Sequence, residues 1–127
     1  MHFPRVLLVD DMPEILGLCA EILSPDYEIV GEATDGESAI AAAERLNPDV
    51  VVLDIAMPGL NGFEVAKWLR SSGCQARIVF LSGDTGLMTT ARQLGGSGFV
   101  TKTRLVPDLP SAIREALSSQ VLESISE

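Results

Sequence analysis

The sequence predicts a doubly wound α/β sandwich around a parallel sheet, and three observations carry that prediction. Five short apolar runs alternate with five stretches of helical spacing along the chain. The runs at 5–9 and 50–53 are almost continuously apolar and rich in Val and Leu, the pattern of strands covered on both faces, as in a parallel sheet. Four of the five runs end in a side chain with chemistry: Asp10 and Asp11 after the first, Asp54 after the third, Ser82 after the fourth and Lys102 after the fifth. In an open parallel sheet those carboxyl ends converge on one crevice, where ligands bind.

Taken in order, residues 5–9 form the first strand, and Pro13 sits in the first turn of a helix running to Leu23, with Ile15, Leu18 and Ile22 as its expected buried face. Ser24-Pro25-Asp26 breaks it. Residues 27–33 alternate polar and apolar side chains, as an edge strand does. Asp35-Gly36 opens a helix over 37–46, with Ala39, Ile40, Ala43 and Leu46 at helical spacing, and Asn47-Pro48 closes it. Val50-Val51-Val52-Leu53-Asp54 is the central strand and runs directly into a Pro58-Gly59 turn. Asn61-Gly62 begins a third helix that ends at Ser71-Ser72-Gly73; Trp68 within it reads as half-buried packing, and Glu64, Lys67 and Arg70 as exposed. A fourth strand covers 77–81. The stretch 85–94 is helix-compatible but weak, because Gly86 and three Thr lower its propensity. Residues 98–101 form a short fifth strand, and a last helix runs from Pro107 to about Leu122, with 118–127 as a polar, fraying tail or the start of a linker.

At 127 residues the chain is expected to be one domain with one continuous core. Hydrophobic residues make up 46% and charged residues 21%, ordinary for a soluble protein. No apolar run approaches the roughly 20 residues of a membrane span, and the first residues lack the apolar region of a signal peptide. A cytoplasmic location is the expectation. Nine basic against eighteen acidic residues give a net charge of −9, which repels phosphate backbones and anionic lipid, so neither nucleic acid nor membrane is expected as a partner. Cys19 and Cys74 match no metal or redox spacing and read as small buried hydrophobes. His2 reads as a terminal surface residue.

Three carboxylates at one sheet rim repel one another by roughly 4 kcal/mol per close pair at an effective dielectric near 20, so Asp10, Asp11 and Asp54 call for a cation. All-oxygen ligands without His or Cys suit a hard divalent ion, Mg²⁺ above all. A carboxylate beside Mg²⁺ and a Lys can attack a phosphoryl group, because both neutralise the charge that builds on its oxygens.

The segments 7–11, 50–62, 79–83 and 98–102, in this order and spacing, resemble the receiver domain of two-component response regulators. The edge strand at 27–33 and a Lys not followed by Pro are most similar to receivers of the NarL/LuxR type. The resemblance implies a (βα)5 flavodoxin-like, CheY-like fold with strand order 2-1-3-4-5. It further implies that Asp54 accepts a phosphoryl group from the phosphohistidine of a sensor kinase or phosphotransfer protein. Asp10, Asp11, Asp54 and the backbone carbonyl of Ala56 would hold Mg²⁺. Lys102 would pair with the phosphoryl oxygens, and the backbone at Ala56 and Gly83 would contact them, Gly83 also leaving room. Ser82 would be the switch hydroxyl and Phe99 the aromatic that turns inward behind it.

The last two helices and the fifth strand would carry the output to a downstream protein, with phosphorylation-linked homodimerisation open. Gly83, Gly86, Gly95 and Gly96 suggest mobility in that region, as a bistable switch requires. The chain departs from the commonest pattern in Thr103 after Lys102, Phe99 in place of Tyr, Ser82 in place of Thr, and Ala56 two residues after Asp54, with Asp84 able to orient a water instead.

The expected function is thus a phosphorylation switch, not an enzyme beyond Mg²⁺-dependent self-phosphotransfer and autodephosphorylation. It is either a stand-alone receiver or the receiver segment of a longer LuxR-type transcription regulator. The alternative is a small phosphatase of the haloacid dehalogenase kind, which would need a second Asp where Ala56 stands. A flavodoxin-like flavin carrier would need a phosphate loop where Asp10 and Asp11 would repel one.

Overall fold

The computed structural model describes residues 3–126, and the side chains of 3–118. His2, Glu127 and the side chains of the polar tail beyond Ser118 lie outside the described residues.

The strands are β1 (Arg5–Val9), β2 (Glu28–Ala33), β3 (Val50–Asp54), β4 (Arg77–Ser82) and β5 (Gly98–Thr101), and the helices α1 (Pro13–Leu23), α2 (Gly36–Leu46), α3 (Gly62–Ser71), α4 (Met88–Gln93) and α5 (Leu105–Ser126). All strand pairs are parallel, in the order β2-β1-β3-β4-β5. The expected (βα)5 sandwich is the one observed.

Period-two alternation divides the core between two faces. Val6, Leu8, Val50, Val52, Val79 and Leu81 point to the side covered by α1 and α5, where they meet Leu16, Cys19, Leu23, Leu109 and Ile113. Leu7, Val9, Val51, Leu53, Ile78 and Phe80 point to the other side, against Ala39 and Ala43 of α2, Val65 and Leu69 of α3, and Ala91 of α4. Every residue of β3 is buried. Burial on both faces is why this strand is continuously apolar until Asp54.

Helix ends follow local chemistry. The Asp35 side chain accepts the Ser38 amide at 2.8 Å and caps α2, which Asn47 ends in the left-handed region at φ 50°. Asn61 and Glu64 form a reciprocal capping box at α3, both bonds 2.9 Å.

Four expectations are corrected. The buried stripe of α1 is Leu16, Cys19 and Leu23; Leu18 is exposed and Ile15 and Ile22 are only half-buried. Both stripes have helical spacing in this almost wholly apolar helix, and docking selects the one that places Leu16, Cys19 and Leu23 in the core on the α1–α5 side of the sheet. The weak segment 85–94 is a 3-10 turn, Thr85–Leu87, followed by the short α4. The last helix starts two residues earlier than expected and continues through Ser126. It tolerates Pro110 because the carbonyl left without a donor belongs to Val106, which is exposed to water. Trp68 is 58% exposed rather than half-buried.

The register puts Val9 beside Leu53, Asp54 beside Leu81 and Ser82 beside Thr101. Asp10, Asp54, Ser82 and Lys102 therefore leave the sheet on one rim. Gly62 closes that rim from behind: an added Cβ there would sit against the Asp54 carbonyl oxygen and 2.8 Å from the Ile55 Cα. Backbone cannot move aside as a side chain does. Gly62→Ala is expected to destabilise the protein by about 1–3 kcal/mol in urea unfolding. Gly17→Ala, at an open helix position with nothing within 4 Å of the new Cβ, should instead stabilise by about 0.5–1 kcal/mol.

Candidate functional site

Asp10 directly follows β1 and is 1% exposed. Its Oδ1 accepts the Met12 amide at 2.9 Å, and its Oδ2 lies 2.9 Å from the Lys102 ammonium. Asp54 closes β3 and is equally buried; its Oδ1 accepts the Ala56 amide at 3.3 Å and lies 3.2 Å from the same ammonium. Lys102 reaches both from the end of β5. The second Asp54 oxygen, Oδ2, is buried and takes no hydrogen bond. Asp11 is exposed at the mouth of the cluster, and one oxygen from each of Asp10, Asp11 and Asp54 lies within 4.8 Å of the others.

One ammonium faces two buried carboxylates and a third at the mouth. The rim is thus one to two positive charges short, and each uncompensated pair costs roughly 4 kcal/mol at 4 Å with an effective dielectric near 20. An orphaned buried carboxylate oxygen in an all-oxygen donor set fits a hard divalent cation.

The same imbalance shifts protonation. Burial, then the neighbouring Asp10 charge, push the Asp54 carboxyl up to about 6, with Lys102 pulling in the opposite direction. Burial by itself would lower the Lys102 ammonium, but its bonds to Asp10 and Asp54 outweigh that and hold it above the ordinary lysine range. Burial, with Asp10 adding to it, raises the Cys19 thiol to about 11, so it stays a neutral packing group.

The remaining site residues are placed differently. Ser82, 3% exposed, turns its hydroxyl to its own loop: the oxygen accepts the Asp84 amide at 2.9 Å and donates to the Asp84 carbonyl at 3.2 Å. Asp84 uses one carboxylate oxygen to accept the Gly86 amide at 2.8 Å, capping the 3-10 turn. Gly83 is exposed, and a Cβ added to it would meet nothing within 4 Å, so packing does not demand glycine there. Ala56 is exposed beside Asp54, and Phe99 is half-buried against the α2–α3–α4 side of the core. The peptide bonds of the described residues, Lys102–Thr103 included, are trans. The sequence reading missed Met12, whose amide fixes the Asp10 rotamer; the signal was an Asp two residues before an amide at a helix start.

A family model for the response regulator receiver domain matches residues 6–114. The chain belongs to that family. It is 36% identical over 123 residues to the nitrate/nitrite response regulator protein NarL of Escherichia coli, covering 94% of this chain and 57% of NarL. It is 34% identical over 117 residues to the chemotaxis protein CheY of Thermotoga maritima, covering 90% of this chain and 94% of CheY. Among solved structures, the response regulator domain of Thermotoga maritima CheB superposes with a TM-score of 0.84 at 32% identity, covering 92% of this chain and 98% of that one. A LuxR-family response regulator from Aurantimonas gives 0.86 at 30% identity, covering 92% and 86%. This receiver is therefore a domain of two-component signalling, and it spans little more than half the length of NarL and of the similar Bacillus subtilis regulators. Receivers are switches that work with sensor kinases and downstream effector domains, and the phosphatase alternative finds no support. No helix among the described residues is long and apolar enough to cross a membrane.

The raised Asp54 carboxyl sets the sign of a pH effect. In the ion-free protein the folded state holds this proton more tightly than the unfolded chain does, so stability falls as pH rises from about 4 through 6 and then levels off. Two pKa units at about 1.4 kcal/mol each give a ceiling of about 3 kcal/mol. Urea unfolding with a chelator present should show this fall in the wild type and its loss in Asp54→Asn, leaving the variant the more stable protein at pH 7.5.

Proposed function

We propose that residues 1–127 form a single receiver domain that accepts a phosphoryl group on Asp54 from the phosphohistidine of a sensor kinase or histidine phosphotransfer protein. The observation that carries this reading is the buried Asp54 oxygen with no protein partner, beside an ammonium and a second buried carboxylate. At neutral pH a carboxyl raised to about 6 is mostly ionised, yet more basic than an ordinary carboxylate, which suits a nucleophile.

An Asp54 carboxylate oxygen forms the new bond to phosphorus, the bond from phosphorus to the histidine nitrogen breaks, and the imidazole leaves with that electron pair. Asp10, Asp11, Asp54 and the Ala56 carbonyl would hold Mg²⁺, which supplies electrostatic stabilisation of the phosphoryl oxygens. Lys102 remains within reach of the phosphoryl oxygens as Asp54 becomes an acyl phosphate. The Ala56 and Gly83 amides are the backbone donors on offer, and the Asp10 carboxylate holds the ammonium throughout.

Ser82 is the switch hydroxyl. Leaving the Asp84 backbone for the phosphoryl group would release the β4–α4 loop, and Phe99 would fill the space vacated. Phe99 also borders a cleft of about 220 Å³ between α4, β5 and α5, with Met88, Ala112 and Glu115, which supports that face as the output surface. The same chemistry run with water gives autodephosphorylation, with Asp84 keeping one carboxylate oxygen free to orient the water. The partners are then a cytoplasmic kinase and either a separate target or an effector domain of a longer LuxR-type regulator, with phosphorylation-linked pairing of two receivers as a further outcome.

Intact mass after incubation with acetyl phosphate tests the reading. One phosphoryl adduct is expected, dependent on Mg²⁺ and absent in Asp54→Asn; Lys102→Ala should slow its formation by about tenfold or more. Ser82→Ala should keep the adduct and lose the phosphorylation-linked shift of Phe99 resonances. An adduct that survives in Asp54→Asn would refute the assignment.

A further inference from the structure

Trp68, the one tryptophan of the chain, is 58% exposed on α3. It does not stand alone. With Ile40, Leu60 and Glu37 it lines a cleft of about 280 Å³ between α2 and α3. One helical turn further on, Glu44 of α2 with Ser72 and the half-buried Cys74 lines a second cleft of about 320 Å³ on the same seam. The pair forms a groove along two turns of α2, roughly 10 Å at 1.5 Å per residue. Its charged lining is Glu37 and Glu44, with no Lys or Arg.

An apolar first cleft built on a large exposed aromatic, continued by a second cleft of mixed lining and edged by carboxylates of one sign, is complementary to one kind of occupant. Helix-in-groove recognition reads apolar anchors at i, i+3, i+4 and i+7, and tryptophan is enriched where binding energy concentrates. A second copy of this chain would bring another net −9 to an acidic edge. A basic helix would neutralise it.

We propose that the α2–α3 groove is a docking site for a basic amphipathic helix of a protein partner, anchored on Trp68 and read by Glu37 and Glu44. The site lies apart from the α4–β5–α5 surface and does not depend on the chemistry of Asp54.

The probe is a synthetic helical peptide with Leu at i, i+3, i+4 and i+7 and Lys elsewhere, beside a counterpart with Glu in place of Lys. The lysine peptide should blue-shift Trp68 fluorescence and move amide resonances confined to α2 and α3, whereas the glutamate peptide should do neither. Glu37→Gln with Glu44→Gln should weaken binding about tenfold or more and flatten its salt dependence. Trp68→Ala, at an exposed position, should keep the unfolding midpoint and the phosphoryl adduct and lose the α2–α3 resonance shifts. Shifts scattered over the acidic surface and unchanged in Trp68→Ala would overturn the proposal. So would equal binding of the glutamate peptide, or self-association of the protein alone that disappears in Trp68→Ala.

Discussion

The rest of the structure depends on one ammonium, Lys102, placed 2.9 Å from Asp10 and 3.2 Å from Asp54. Both carboxylates are 1% exposed, and neither would be stable there as an isolated anion. Lys102 holds them together without neutralising them. Burial, then the neighbouring Asp10 charge, raises the Asp54 carboxyl, whose Oδ2 takes no hydrogen bond, and the excess of carboxylates suits the rim to a cation. A fully satisfied cluster would be more stable and chemically inert. The incomplete one holds an imbalance that a divalent cation can relieve.

Such an imbalance requires a rigid support. β1 and β3, buried on both faces, deliver Asp10 and Asp54, and Gly62 lets α3 begin directly behind the Asp54 carbonyl. On the other side of the site the packing is lighter. A 3-10 turn and a six-residue α4 follow Ser82, and the Ser82 hydroxyl binds only its own loop. The molecule thus combines a fixed half that holds charge and a lightly held half suited to moving in response to it.

The fold was legible because strong local signals agreed with tertiary demand. The Val-rich run before Asp54 is a central strand, Asp35 and Asn61 cap the helices they were expected to open, and the edge-strand alternation at 27–33 matches β2. Where two local solutions were equivalent, the sequence could not choose. In α1 the stripes through Ile15 and Leu16 are both apolar, and only docking selects Leu16, Cys19 and Leu23. Trp68 is more exposed than the half-buried packing expected of it because α3 has enough smaller residues, Val65, Ala66 and Leu69, to fill its face.

The acidic members of the site were legible for the opposite reason. Carboxylates after buried strands have few structural alternatives, so Asp10, Asp11 and Asp54 were found by position alone. Ser82 was found in the same way, but the Asp84 backbone partner of its hydroxyl and the role of the Met12 amide were not, since which neighbour a small polar group binds depends on loop geometry that periodicity does not encode. The charge deficit at the rim is measured most directly by calorimetric titration of Mg²⁺ into the unphosphorylated protein. The account predicts one ion per chain, with binding lost in Asp10→Asn and in Asp54→Asn. Absence of binding to the wild type, or binding unchanged in both variants, would contradict it.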